Sequence, residues 1–342
     1  MASTEFWISS AAGGGGTGAI GDPFTLAEGV ASTSRGTFYI EADGTYTTAV
    51  QLVIDTSYQH FIGANSSGAV DGSMPVIQAS STISGAMIDV TAANSVIVYV
   101  DADANDNADI GIDIGNSNCM AVSCIGRNGV LYGLYASAAG STLSYCLAES
   151  NGSAIGIRVN QSCAYRCVSR GGLTGFRSNN MGAAIQCVAE GNTGDGFLTI
   201  NTIDCTSENN TGDGFSWFCT HVNGLASNNG ADGFNSPSNL LLNCAYGSGS
   251  EANTGGATIA QIDGRSIPTL VDAGTALFRD TSDTPVDYRL AASSALDGVG
   301  VFWAESMWGS TDTRPGIGIG DTEPATGGSS VPNLLSSTLI RS

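Results

Sequence analysis

The chain has 342 residues, a formal net charge of −20 and no lysine, so that all 11 basic residues are arginine. This balance excludes nucleic-acid or anionic-membrane recognition through a basic face, and no run reaches the ~18 apolar residues that a membrane-spanning helix needs. A chain of this length suits one extended domain whose core grows with length.

The first ten residues, MASTEFWISS, carry no basic n-region and no apolar h-region. No secretory leader is expected, and release by cell lysis is. Residues 6–9 read as a first short strand, followed by the run Gly13 to Gly16. Asp22-Pro23 then opens the best helix signal of the chain, with Asp22 as N-cap, Pro23 at the first helical position and Leu26 and Val30 on one face. Residues 1–35 are thus read as a strand, a glycine run and a short helix. Laid over the open end of a β-stack, the helix would cover unpaired strand edges.

From residue 36 short β-prone runs follow at 37–40, 52–54, 61–62, 76–79, 87–90 and 96–100. Next comes Asp101-Ala-Asp103-Ala-Asn105-Asp106-Asn107-Ala-Asp109, with acidic and amide oxygens at alternate positions. Hard oxygen donors so spaced suit calcium, with Asp101, Asp103 and Asn105 as ligands. The pattern departs from an EF-hand loop in having Asp106 in place of glycine and Ile112 in place of the closing glutamate. It also reads as a solvated turn that needs no ion.

Beyond Asp109 the chain repeats itself about every twenty residues. A glycine followed by a large apolar residue recurs at Gly111-Ile112, Gly133-Leu134, Gly156-Ile157, Gly175-Phe176, Gly196-Phe197, Gly214-Phe215 and Gly233-Phe234. A second column follows at Cys124, Cys146, Cys167, Cys187, Cys205, Gly224 and Cys244. Gly85 and Val98 are expected to continue both columns upstream. So short a period, preserved in two columns, predicts a solenoid. Each repeat holds two short alternating runs separated by Asn, Gly, Thr and Ser, too short for helices. These strands must stack on their equivalents about 4.8 Å away in parallel ladders, with right-handed crossovers. The fold expected is therefore all-β, a right-handed parallel β-helix with a short N-terminal capping helix. The glycines suit positive φ or close approach of coils. Asn128, Asn151, Asn192, Asn209 and Asn228 mark the bends.

The regular cysteines fit small, buried, reduced side chains better than a disulfide framework, and no histidine lies near enough to Cys163 and Cys167 to complete a zinc site. Asp195, Asp213 and Asp232 precede three Gly-Phe pairs and would stack as like charges, although aspartate also favours the turn before glycine. After residue 257 the register is lost. Strands are expected at 269–271, 276–279 and 287–290, with Trp303, Met307 and Trp308 covering the distal end. Residues 301–342 read as a C-terminal cap and a Gly/Pro/Ser-rich tail.

The Gly-Phe and Cys columns with Asn-rich bends, as in NTGDGFLTINTIDCTSENNTGDGF, resemble the parallel β-helix proteins of the pectate-lyase-like superfamily over roughly residues 36–300. DYRLAASSALDGVG is similar to the closing segment of many of them, with Ala295 in place of the usual proline. The opening, from the first strand to GTFYIEADGTYT, resembles that of β-helix proteins carried on bacteriophage particles, tail spikes and capsid decorations among them. The superfamily includes polysaccharide lyases and hydrolases, so an enzyme is one expectation. Lyase chemistry needs a base beside acidic calcium ligands, and Arg127, Arg158, Arg166, Arg170 and Arg177 are the candidates. Their places in the alternation point outward with no acidic set alongside. His60 and His221 read as structural. Two stacked aspartates of the Asp195, Asp213 and Asp232 series could serve a glycosidase, with Trp217 as a sugar platform if it faces outward.

The expectation favoured here is a non-catalytic virion rod with no catalytic or cofactor-binding residues. By resemblance it would pack as a homotrimer, with other virion proteins and surface polysaccharide as partners. A polysaccharide-degrading tail spike is the alternative.

Overall fold

The fold is taken from a computed structural model, which describes residues 4–149, 154–217, 219–235, 240–242 and 244–247, and short strands between 258 and 290. Three long parallel sheets of 9, 12 and 11 strands run its length. One coil shows the plan. Ala108–Ile114 lies in the first sheet, Met120–Val122 in the second and Ile125–Arg127 in the third. Tyr132–Ala136 then returns to the first sheet, pairing in parallel with Ile112 opposite Leu134.

A coil therefore has three strands where the sequence suggested two. The reason is a corner one residue wide. Ser123, Tyr145, Arg166, Gln186, Asp204 and Asn223 each adopt a left-handed φ between 50° and 55° immediately before the cysteine column, which splits one apparent run between two sheets. A single left-handed residue is a sharp bend that costs non-glycine residues about 1 kcal/mol, and the ladders on both sides hold it.

The interior confirms the two columns. Ile112, Leu134, Ile157, Phe176, Phe197, Phe215 and Phe234 are in register and essentially inaccessible. The four phenylalanine rings stack with centroids 4.9, 4.9 and 4.8 Å apart. All nine cysteines are free thiols, and those of the column are buried. Upstream the columns continue two residues on from where the sequence placed them. Ile110 pairs with Ala86, which sets Met87 opposite Gly111, because the strand register shifts between Ala108 and Ile110. Likewise Ile125 pairs with Asp101, so Val100 occupies the cysteine position and Val98 pairs with Val122.

The glycines of the column owe their place to close approach rather than to φ. A Cβ on Gly111 would lie 2.6 Å from the Gly133 carbonyl oxygen, and one on Gly196 would lie 2.1 Å from Ser207 Oγ. The asparagines form a ladder one residue later than expected in two coils. Asn192 Nδ2 donates to Asn210 Oδ1 at 2.7 Å, and Asn210 Nδ2 to Asn229 Oδ1 at 2.8 Å, all buried. Asn209 and Asn228 instead take the left-handed turn before it, as does Asn128; Asn151 lies outside the described residues.

At the N-terminus Glu5–Ile8 pairs in parallel with Gly36–Glu41, so the second sheet runs across residue 35. The capping helix is present but shorter than predicted, spanning Leu26–Val30 with Thr25 as N-cap in place of Asp22. Thr25 Oγ1 accepts from the Glu28 amide and Glu28 Oε2 accepts from the Thr25 amide, a reciprocal capping box. Phe24 is drawn into a bridge with Ile8, which keeps Pro23 and Phe24 extended. Leu26, Gly29 and Val30 are buried at the end of the stack. A second ring stack, Phe24, Phe6, Phe38 and Phe61, starts the interior there, with centroids 5.8, 4.8 and 4.8 Å apart.

Towards the C-terminus Leu270–Gly274 joins the third sheet, and Phe278–Asp280 pairs antiparallel with Asp287–Leu290. The expected cover by Trp303, Met307 and Trp308 and the 301–342 tail lie outside the described residues.

Candidate functional site

The outer face of the first sheet carries the richest chemistry. Strand alternation turns Ile88, Ile112, Leu134, Ile157, Phe176 and Phe197 inward and the residue after each outward. Asp89, Asp113, Tyr135, Arg158, Arg177 and Leu198 consequently stand in one register column on successive coils. Along the rod the column changes from acid to aromatic to base.

The first four members are held by their neighbours. Asp89 Oδ2 accepts from Gln51 Nε2 at 3.2 Å, and its carboxyl is raised by burial. Asp113 Oδ1 accepts from Ser137 Oγ at 2.8 Å; burial, with the Asp89 charge adding to it, pushes this carboxyl up to about 6. Asn160 Nδ2 donates to the Tyr135 hydroxyl at 2.6 Å. The Arg158 guanidinium lies 5.0 Å from the ring centroids of both Tyr132 and Tyr135 and donates to the Tyr132 hydroxyl. Arg177 follows Arg158 in register. Beyond it, at the turn out of the first sheet, a cavity of about 400 Å³ is lined by Arg177, Ser178, Asn179, Met181, Thr199, Asn201 and Cys219.

The sequence singled out other places. Asp101 and Asp103 lie on one third-sheet strand, Asp101–Asp103, facing Arg127 of the next coil. Arg127 Nη2 is 2.6 Å from Asp101 Oδ2, and its Nε is 3.8 Å from Asp103 Oδ2. Asp103 also accepts from Asn128 Nδ2 at 2.7 Å and Gln78 Nε2 at 3.1 Å. The Asn105 side chain donates to the Ala79 carbonyl at 3.3 Å. Burial raises the Asp101 carboxyl to about 6 despite the guanidinium. Among the described residues no three His, Cys, Asp or Glu side chains converge as metal ligands. With Arg127 in place the donor set does not fit calcium.

Asp195, Asp213 and Asp232 recur on successive coils, but their carboxylates bind the next coil. Asp195 Oδ1 accepts from the Asp213 amide at 2.9 Å, and Asp213 Oδ1 from the Asp232 amide at 3.0 Å. Ser216 Oγ and Asn235 Nδ2 take the second oxygens of Asp195 and Asp213. The like charges are thus tied into the structure by donors.

The five candidate arginines divide among the surfaces: Arg158 and Arg177 on the first sheet, Arg127 and Arg170 on the third, and Arg166 at the corner. Arg170 faces Glu149 at 3.0 Å, and Arg166 donates to Gln186 Oε1 at 2.7 Å. His221 sits inside the rod on Thr220–Val222, its Nδ1 2.9 Å from Thr202 Oγ1 and its ring against Phe215 and Phe234. Burial depresses it to about 3. His60 lies on Gln59–Ala64 and is also depressed by burial. Trp217 does not follow the inward parity of Phe215. A left-handed φ of 67° turns it out, and it is 54% exposed.

Asp89, Asp113 and Tyr135 were not singled out by their sequence. The signal was there in Ile88-Asp89-Val90 and Ile112-Asp113-Ile114, where a carboxylate stands at an outward position between two core residues.

No family model matches the sequence, and no curated protein does. Among solved structures the pectate lyase Pel9A is similar at 12% identity with a TM-score of 0.61, over 93% of this chain and 96% of that one. The Dettilon tailspike protein (13% identity, TM-score 0.46, 65% of this chain) and ORF18 of Geobacillus virus E2 (13%, 0.41, 64%) also align. The alignments take in 50% and 48% of those two chains, so this chain spans about half their length. Three parallel sheets joined at one-residue corners around a stacked interior make this an all-β parallel β-helix, the fold in which it is similar to Pel9A.

Proposed function

We propose that the chain is a non-catalytic structural protein of a phage particle, a capsid decoration or tail-associated rod that presents the outer face of its first sheet to surface polysaccharide. The observation that carries this reading is the register column itself. One strand holds Tyr132 and Tyr135, and the next coil sets Arg158 beside Tyr135 and over both rings on a partly exposed strip. Exposed aromatic rings beside hydrogen-bonding side chains suit a hydroxyl-rich polymer, whose units offer apolar ring faces and polar edges. The net charge of −20 keeps such a rod soluble. Homotrimeric packing and contact with other virion proteins belong to the same proposal, as does residence in the assembled virion. Imaging the native particle is the test. Density for the rod at fixed symmetric positions supports the assignment, and its absence from purified particles overturns it.

One observation favours a second reading, polysaccharide cleavage. Asp89 and Asp113 stand on adjacent strands in register, and the carboxyl of Asp113 is raised to about 6. Neighbouring carboxyls, one of them raised towards neutrality by burial, are the kind of pair that a glycosidase uses as acid and base. Release of reducing ends from host polysaccharide, lost in D113N, would establish this reading.

A further inference from the structure

We propose that the outer face of the second sheet is the surface through which this chain meets further copies of itself, packed side by side with coils level around an axis parallel to the rod. This rests on the homotrimeric packing proposed above and names the face that makes it.

The first argument is the make-up of the strands. A strand covered on one face alternates apolar and polar residues, whereas one covered on both faces reads apolar throughout. Val96-Ile97-Val98, Met120-Ala121-Val122 and Ala183-Ala184-Ile185 are of the second kind. Ile97, Ala121 and Ala184 fill the interior, so the residues on either side of each point outward. Val98, Val122, Ser144, Tyr165, Ile185 and Ile203 form one outward column in register on successive coils. Of these, Val122, Tyr165, Ile185 and Ile203 are partly exposed. Upstream the column runs on through Ile62 and Tyr39 to Trp7, and there the chain covers itself, with Gly68 against the Trp7 indole.

The second argument joins charge to symmetry. The chain has 31 acidic residues and 11 arginines. None of them stands on the seven strands from Val96–Val98 to Thr220–Val222, or in the turns at 115–119, 137–141, 160–162 and 178–182 that lead into four of those strands. The first sheet turns Asp89, Asp113, Arg158 and Arg177 outward, and the third Asp103, Arg127, Glu149 and Arg170. Around a cyclic axis parallel to the rod, every residue that faces the axis meets its own copies. A charged residue there would meet its own charge, which is repulsive. Of the three long sheets, the second alone can turn to such an axis. The nearest charge, Arg166 at the corner, lies over the Tyr145 and Tyr165 rings.

Extent agrees with this use. Seven strands at a spacing of about 4.8 Å, each about 20 Å across with its turn, give on the order of 700 Å², close to the ~800 Å² that each partner contributes to a stable interface. Met181, 90% exposed, and Trp217, 54% exposed, add apolar surface at the turns. Facing the second sheet inward also leaves the column from Asp89 to Arg177 in solvent, as the polysaccharide reading requires.

The test is sedimentation equilibrium of the purified chain, with circular dichroism to establish that each variant is folded. The wild type is expected to be a multimer at micromolar concentration, and I185E to associate at least about a hundredfold more weakly. The uncharged variant I185S, which perturbs folding less, should weaken association about tenfold. L147E, on the outer face of the third sheet, should sediment as the wild type. Mixing I185E with I185R should restore association, a result that only contact between equivalent positions gives. A wild-type multimer that I185E and I185S leave intact overturns the face and keeps the homotrimer. A wild type that stays monomeric removes both.

Discussion

Asn223 donates its side-chain amide to Asp204 Oδ1 at 2.7 Å across one coil step, while Oδ2 of the same carboxylate is buried without a donor. Both residues occupy the left-handed corner between the second and third sheets. Half-satisfied and inaccessible, the carboxyl of Asp204 is pushed up to about 7 by burial. A folded-state pKa above the unfolded value means that the protonated form is favoured on folding. The stabilisation is complete at acid pH and is lost as pH rises from about 4 through 7, by about 2–4 kcal/mol. Replacing Asp204 by asparagine is therefore expected to raise the melting temperature at pH 8 by about 2 °C or more and to change little at pH 4. Thermal melts of D204N and wild type at both values check this, and an equal loss at both would refute it.

His221 has the opposite sign. Its folded-state value near 3 lies below that of the free side chain, so the buried ring stays neutral and stability declines as pH falls below about 6.5. H221L should abolish this acid limb and leave Thr202 Oγ1 without its ring partner. Chemical denaturation midpoints at pH 7 and pH 4.5 are expected to converge in the variant and diverge in the wild type.

The phenylalanine stack makes a sharper demand on packing. Phe215 lies between Phe197 and Phe234 with centroids at 4.9 and 4.8 Å and is fully buried. F215A should cost about 3–5 kcal/mol and F215L markedly less, because the cavity is smaller and the column remains apolar. Urea titrations followed by circular dichroism give the difference directly.

The acidic turn at Asp101, Asp103 and Asn105 can be interrogated through Arg127. R127Q leaves two mostly buried carboxylates without their cation, which should lower stability by about 1–3 kcal/mol. Millimolar calcium should then raise the melting temperature of R127Q and leave the wild type where it was. A wild-type response as large as that of the variant would show the ion sitting alongside the guanidinium and restore the calcium reading of this turn.

The interior was legible in the sequence because core positions of a solenoid repeat at fixed intervals. Phe197 and Cys205 declared themselves through Phe215, Phe176 and Cys187. The corner was not legible, since Ser123, Arg166 and Asp204 share only a backbone conformation and no side-chain type. Asn209 and Asn210 could not be told apart by spacing. One takes the bend and the other the ladder, and only the hydrogen bonds to Asn192 and Asn229 distinguish them. The outer column was hidden for a related reason. Asp89, Tyr135 and Arg158 differ from coil to coil at a position that the core does not constrain, so the candidate face leaves the weakest periodic trace.

The glycines at positions 175, 196 and 214 all open coils with phenylalanine next; a buried thiol follows in the first two and Gly224 takes its place in the third. Excising residues 196–213 would join Asp195 to Gly214, a junction this chain already uses in Asp213-Gly214, and set Phe215 on Phe176. Reach is thus a digital quantity here. Shortening or duplicating the gene in such units would move whatever sits at the tip inward or outward by whole steps of about 4.8 Å while keeping the ring stack continuous.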